Sequence, residues 1–202
     1  MRLFIAAYPP PGIRAHLGGL VDRLAVTRAS ARLSARDRWH MTVAFIGEVP
    51  DALAADAVAV MRDLRADAPT VRIGGGARFG HGRFTTLVAG IRDEVAGRPA
   101  AGFSGEPGPA AGGLAKLGDA VREALVRGEL PYDRRPLQPH LTIARPGDRL
   151  GPAELAGDLD ALDAYESPPW LVDELRLVRS VLGPPHEYEI LAAGPMLEGK
   201  RS

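Results

Sequence analysis

His40-Met41-Thr42-Val43-Ala44-Phe45 and His140-Leu141-Thr142-Ile143-Ala144-Arg145 state one pattern twice: His-apolar-Thr-apolar-Ala. Both are dense in apolar and β-branched residues, which favours strands. Side chains on a strand alternate between faces with a period of two. Strict alternation puts His40 and Thr42 on one face and Met41, Val43 and Phe45 on the other. It separates His140 and Thr142 from Leu141 and Ile143 in the same way. The apolar set can enter a core while an imidazole and a hydroxyl stand side by side outside it. The chain holds only five histidines, so two in one context point to a shared role. Two such surfaces brought together supply two imidazoles and two hydroxyls, an acid–base pair with anchors for an anion.

The 202 residues suit a single domain, 1–202, of two intimately packed lobes with one motif in each. Hydrophobic residues make up 46% and charged residues 25%, as in globular proteins. Formal net charge is zero, so the broad basic footprint of a non-specific nucleic-acid binder is missing, and an anionic substrate needs a local cluster. With no cysteine, disulfides, thiolate nucleophiles and Cys-based metal sites are excluded, which fits a reducing cytoplasm. Leu3–Ala7 is too short for a secretory signal, Pro9-Pro10-Pro11 stops it, and no run has the length of a membrane span. These features predict a cytoplasmic monomer with no membrane association and no obligate protein partner.

The periodicity predicts a strand over Arg2–Tyr8, a helix over Ile13–Val26 and the first motif strand over Trp39–Val49. A polar stretch carrying Arg28, Arg32, Arg36 and Arg38 separates the last two. Asp51 is a candidate N-cap for a helix to about Asp67. Thr70–Phe79 and Arg83–Ile91 form a hairpin around Gly80-His81-Gly82. Within it, Gly74-Gly75-Gly76 is no P-loop, because no strand-to-helix turn and no Lys-Ser/Thr follow. Residues 92–113 are Gly/Pro/Ala-rich and read as a surface loop. A helix over Leu114–Arg127, the second motif strand, a helix over Ala153–Leu162 and strands over Trp170–Val181 and Glu187–Leu191 complete the chain. Two halves of similar order, each with one motif strand, suggest an internal duplication. Two α+β lobes would then meet at a shared cleft.

The paired motifs resemble the 2H phosphoesterase superfamily, within it the RNA 2′,3′-cyclic phosphodiesterases historically called 2′-5′ RNA ligases. The resemblance rests on Arg2-Leu3-Phe4-Ile5-Ala6, the run from His40 to Val49, the run from Pro136 to Arg145, and Ser180-Val181-Leu182-Gly183 followed by Tyr188. It implies an α+β, two-lobed pseudo-symmetric fold, with antiparallel sheets forming a central cleft and helices outside. It also implies hydrolysis of terminal RNA 2′,3′-cyclic phosphates, giving 2′-phosphomonoesters, without metal or cofactor. The partners would be RNA ends or nucleotides carrying that group. Imidazole titrates near pH 6.5, so one ring can serve as acid and the other as base near neutrality. The resemblance gives His40 the acid role and His140 the base role. Thr42, Thr142 and Arg145 would bind the phosphate, although strict alternation turns Arg145 away unless the strand ends there. Phe45 is similar to the family's motif aromatic; alternation assigns it to the core, and it stands with Tyr188, Trp39, His81 and Arg83 as a candidate cleft wall. Three other readings stay open: a cyclic phosphodiesterase for small nucleotides such as ADP-ribose 1″,2″-cyclic phosphate, a non-catalytic RNA- or nucleotide-binding module, and a metalloenzyme with histidine ligands.

Overall fold

In the computed structural model, which describes residues 1–94, 110–181, 183 and 187–197, β1 (Arg2–Ala7) shows why an apolar strand need not be simple. Leu3, Ile5 and Ala7 belong to the main core, whereas Phe4 and Ala6 join Val178 in a second, smaller cluster. Both faces of this strand are therefore buried, which explains its unbroken apolar run. Next come α1 (Pro11–Val21), α2 (Ala25–Arg28), β2 (Arg32–Leu33), β3 (Met41–Glu48), α3 (Ala54–Asp63), β4 (Thr70–Phe79) and β5 (Thr86–Asp93). The chain continues with α4 (Gly112–Arg127), β6 (His140–Arg145), α5 (Pro152–Asp163), β7 (Trp170–Leu171), β8 (Glu174–Val181) and β9 (Glu187–Pro195).

Two antiparallel sheets result, ordered β3-β1-β8-β9 and β2-β6-β5-β4-β7. Each holds one motif strand. Neither sheet is built from one half of the sequence alone. The first sheet takes β8 and β9 from the late chain, and the second takes β4 and β5 from the early chain. Helix α3 packs on β8 and β9, α4 touches both β3 and β5, and α5 lies on β4. One continuous hydrophobic core runs beneath both sheets.

Several local expectations change for identifiable reasons. The helix read over Ile13–Val26 breaks into α1 and α2. Asp158 of α5, only 3% exposed, accepts the N–H groups of Ala25 and Val26 at 2.6 and 2.8 Å, so α2 starts under a tertiary cap. Asp51 caps no helix. It begins a 3-10 turn and accepts the Met1 ammonium at 3.2 Å, while α3 ends at Asp63. Trp170–Val181 is two strands, because the chain crosses between sheets at Val172 and Asp173. Of the loop read at 92–113, residues 95–109 lie outside the described residues; Arg92 and Asp93 extend β5, and Gly112 begins α4. The glycine run has a packing reason. A Cβ on Gly76 would sit 2.2 Å from the Leu159 carbonyl oxygen and one on Gly74 2.6 Å from that of Tyr165, so glycine lets α5 approach β4.

Candidate active site

Both motif strands carry the same bulge. In β3, Ala6 opposes Thr42 but Ile5 opposes Ala44, leaving Val43 as an extra residue. In β6, Val88 opposes Thr142 but Leu87 opposes Ala144, leaving Ile143 as the extra residue. Val43 and Ala44 are 4% and 7% exposed, and Ile143 and Ala144 are both fully buried. Two consecutive side chains thus turn to the core, and the alternation resets by one. The residue that follows moves to the face of the histidine and threonine.

This overturns the core placement of Phe45, which is 41% exposed and lies beside Phe4, ring centroids 6.2 Å apart. The same reset carries Arg145, exposed at the end of β6, to the side of His140 and Thr142. The two halves differ here: the equivalent position is aromatic on one strand and cationic on the other.

Each imidazole is fixed in the same way. His40 Nδ1 lies 2.7 Å from the Arg38 carbonyl oxygen, and His140 Nδ1 lies 2.7 Å from that of Gln138. A carbonyl oxygen only accepts, so both Nδ1 atoms carry a proton and donate it. Nε2 is left on each ring as the atom that gains or loses a proton. Burial pushes both histidines below the usual imidazole value, and the carbonyls of Arg38 and Gln138 oppose this. A charge on His140 pushes His40 lower still.

Aromatic rings enclose the histidines unequally. Around His40 stand Phe4, Tyr188 and Tyr8, with centroids at 5.1, 5.4 and 5.5 Å; beside His140 stands Phe79 at 4.9 Å. Burial and the neighbouring Tyr188 push the Tyr8 hydroxyl up to about 12, against the pull of Arg176, whose guanidinium lies 5.1 Å from the Tyr8 ring centre. Tyr188 thus stands against His40, while Trp39 is 1% exposed and belongs to the core. Arg83 lies over Phe84, and His81 is exposed in the β4–β5 connection. The sequence pattern does not single out Phe4, Tyr8 and Phe79 as neighbours of the histidines. Phe4, Ala6 and Tyr8 share one face at a spacing of two, a signal hidden because the opposite face is apolar as well.

A cleft of about 210 Å³ is lined by Thr42, Phe45, Phe79, Arg122, Asp133, Arg135 and His140 among others. It holds the threonine of one motif and the histidine of the other. The Asp133 N–H donates to the Phe45 carbonyl at 2.8 Å, tying the approach to β6 onto the free edge of β3. Arg135 grips the Asp133 carboxylate and holds it below the usual carboxylate range. Among the described residues, no group of three or more His, Cys, Asp or Glu is placed to hold a metal ion, and no helix is long and apolar enough to cross a membrane.

The family model described as the 2′-5′ RNA ligase superfamily matches residues 9–184. No curated protein matches the sequence. Among solved structures, TT0787 of Thermus thermophilus is 24% identical over 100% of both chains, with a TM-score of 0.68. E. coli LigT in its apo form is 21% identical over 98% of both chains, TM-score 0.68. LigT complexed with 3′-AMP is 20% identical over 98% of both, TM-score 0.64. These likenesses establish a shared α+β fold with two antiparallel sheets.

Proposed function

Because this chain belongs to the 2′-5′ RNA ligase superfamily, with the 2H phosphoesterase fold, we propose that it hydrolyses terminal RNA 2′,3′-cyclic phosphates to 2′-phosphomonoesters by two-histidine acid–base catalysis. The observation that carries this reading is the cleft lined by both Thr42 of one motif and His140 of the other. In this reading His140 Nε2 takes a proton from water as the water oxygen attacks phosphorus. The P–O3′ bond breaks, and O3′ takes the proton of His40 Nε2, leaving a 2′-phosphate and a free 3′-hydroxyl. The main-chain carbonyls at Nδ1 hold each ring in one tautomer and support the imidazolium when it forms. Thr42 and Thr142 donate to non-bridging oxygens as charge builds on phosphorus, and Arg145 neutralises it. Phe45 and Tyr188 form walls for the nucleoside.

The test is product analysis with oligoribonucleotides ending in a 2′,3′-cyclic phosphate, in EDTA, alongside ADP-ribose 1″,2″-cyclic phosphate. Conversion of the oligonucleotide to a 2′-phosphate end is expected. Turnover of the ADP-ribose compound alone moves the activity to small nucleotides, and binding without turnover leaves a non-catalytic module. Loss of activity in EDTA that returns with a divalent cation overturns the metal-free mechanism.

A further inference from the structure

The four arginines of the polar stretch 28–38 have different fates. Arg28 Nη1 donates to the Arg23 carbonyl at 2.6 Å, Arg36 is bonded to Asp22, and the Arg38 carbonyl anchors His40. Arg32 lies in β2 directly opposite Arg145 of β6, with Leu33 opposite Ala144. Directly opposed residues of antiparallel strands share a face, with Cβ atoms ~5 Å apart. The bulge after Thr142 puts Arg145 on the face of Thr142 and His140, so Arg32 shares that face one strand further out. Both arginines are exposed. Among the described residues, neither has a carboxylate within ion-pair distance.

Like charges directly opposed across two strands weaken the pairing. A phosphate between two guanidinium groups reverses the sign of that interaction, because each offers a planar fork of donors. Arg145 stands three residues along β6 from Thr142, the threonine proposed to hold the reacting phosphate, a separation of ~10 Å at the rise of a strand. The next anion along a nucleic-acid end at that range is the phosphate on the 5′ oxygen of the terminal nucleotide. We propose that Arg32, beside Arg145, binds that 5′-linked phosphate, so that the protein favours ends with a second phosphate over simple nucleoside cyclic phosphates. This rests on the cyclic-phosphate reading of the site; Arg32 itself sets specificity and takes no part in the proton transfers.

Arg32→Gln is compared with the unmodified protein on three substrates: a nucleoside 2′,3′-cyclic phosphate, its 5′-phosphorylated form, and a trinucleotide ending in the same cyclic phosphate. KM should rise about tenfold for the latter two, the scale of one lost charge-assisted phosphate contact. It should stay unchanged for the first, with kcat the same throughout. An effect on the trinucleotide but not the 5′-phosphorylated nucleoside assigns the contact to a phosphodiester, whereas a trinucleotide left unaffected overturns the proposal. Equal effects on all three substrates, or none on any, overturn the proposal.

Binding of a trinucleotide with a 3′-phosphate and of a nucleoside 3′-phosphate, measured calorimetrically across salt concentrations, separates this from failure of the catalytic reading. Weaker binding of the trinucleotide alone, with a salt slope lower by about one, upholds the subsite even for a protein that turns over neither substrate. Unchanged trinucleotide binding overturns it. The thermal midpoint of Arg32→Gln should match or exceed that of the unmodified chain; a lower one overturns the proposal in favour of a structural role for Arg32.

Discussion

His40 and His140 give their Nδ1 protons to main-chain carbonyls two residues upstream, at the same distance of 2.7 Å. The sequence shows why two histidines recur, but the tautomer depends on backbone carbonyls that only a folded strand entry aims at the ring. Removing either imidazole, as His40→Ala or His140→Ala, should lower kcat by at least ~10²-fold, the scale of a lost acid–base group. Steady-state kinetics checks it, and a variant with unchanged kcat would remove that ring from the mechanism. The pH dependence follows from burial, which lowers both imidazole pKa values. The free enzyme loses its imidazolium as pH rises, so the basic limb of kcat/KM should have its midpoint below 6.5, the ordinary imidazole value. A bound phosphate favours the imidazolium, so the corresponding limb of kcat should lie at higher pH. Midpoints in the opposite order would contradict a phosphate at this site.

At the scale of elements, the bulges decide which residues face the cleft. Their sequence signal was present: Val43-Ala44 and Ile143-Ala144 are consecutive apolar pairs that interrupt a period of two. A single extra residue moved Phe45 from core to cleft and brought Arg145 to the side of His140. Alternation alone cannot reveal this, because a bulge is a mismatch between partners, and local pattern does not specify the partners. The packing of α5 on β4 gives a paired stability test. Gly76→Ala pushes a methyl to 2.2 Å from the Leu159 carbonyl oxygen, whereas Gly19→Ala on α1 meets nothing within 4 Å. Denaturant unfolding should show Gly76→Ala losing ~1–3 kcal/mol by overpacking. Gly19→Ala should gain ~0.5–1 kcal/mol from the lower entropy of the unfolded chain. A neutral Gly76→Ala would mean that α5 does not need that close approach.

Over the whole molecule, contacts between distant segments hold the arrangement. Asp158 on α5 accepts the first N–H groups of α2, ahead of β2 and its Arg32. Asp158→Ala leaves those groups buried and unpaired, and should cost about 3 kcal/mol in a denaturant titration; a loss below ~0.5 kcal/mol would assign the cap no stabilising role. The histidines also link site and stability. Their folded pKa values lie below the unfolded one, so the unfolded chain binds more protons once pH drops below 6.5, and stability falls from there toward the lowered folded values. Replacing both with Gln should flatten the stability profile between pH 7 and 5, measured by urea unfolding at each pH. An unchanged profile would mean that other groups cause the acid loss. The sequence by itself determined the two motif strands, their histidines and threonines and most helices, because period and composition are local properties. Strand pairing in three dimensions sets that each sheet draws strands from both halves, that Phe45 turns to the cleft, that Arg145 stands on the side of His140, and that Arg32 stands opposite Arg145. Those facts depend on which strand pairs with which and in what register, and pairing joins residues too far apart in the chain for local pattern to specify.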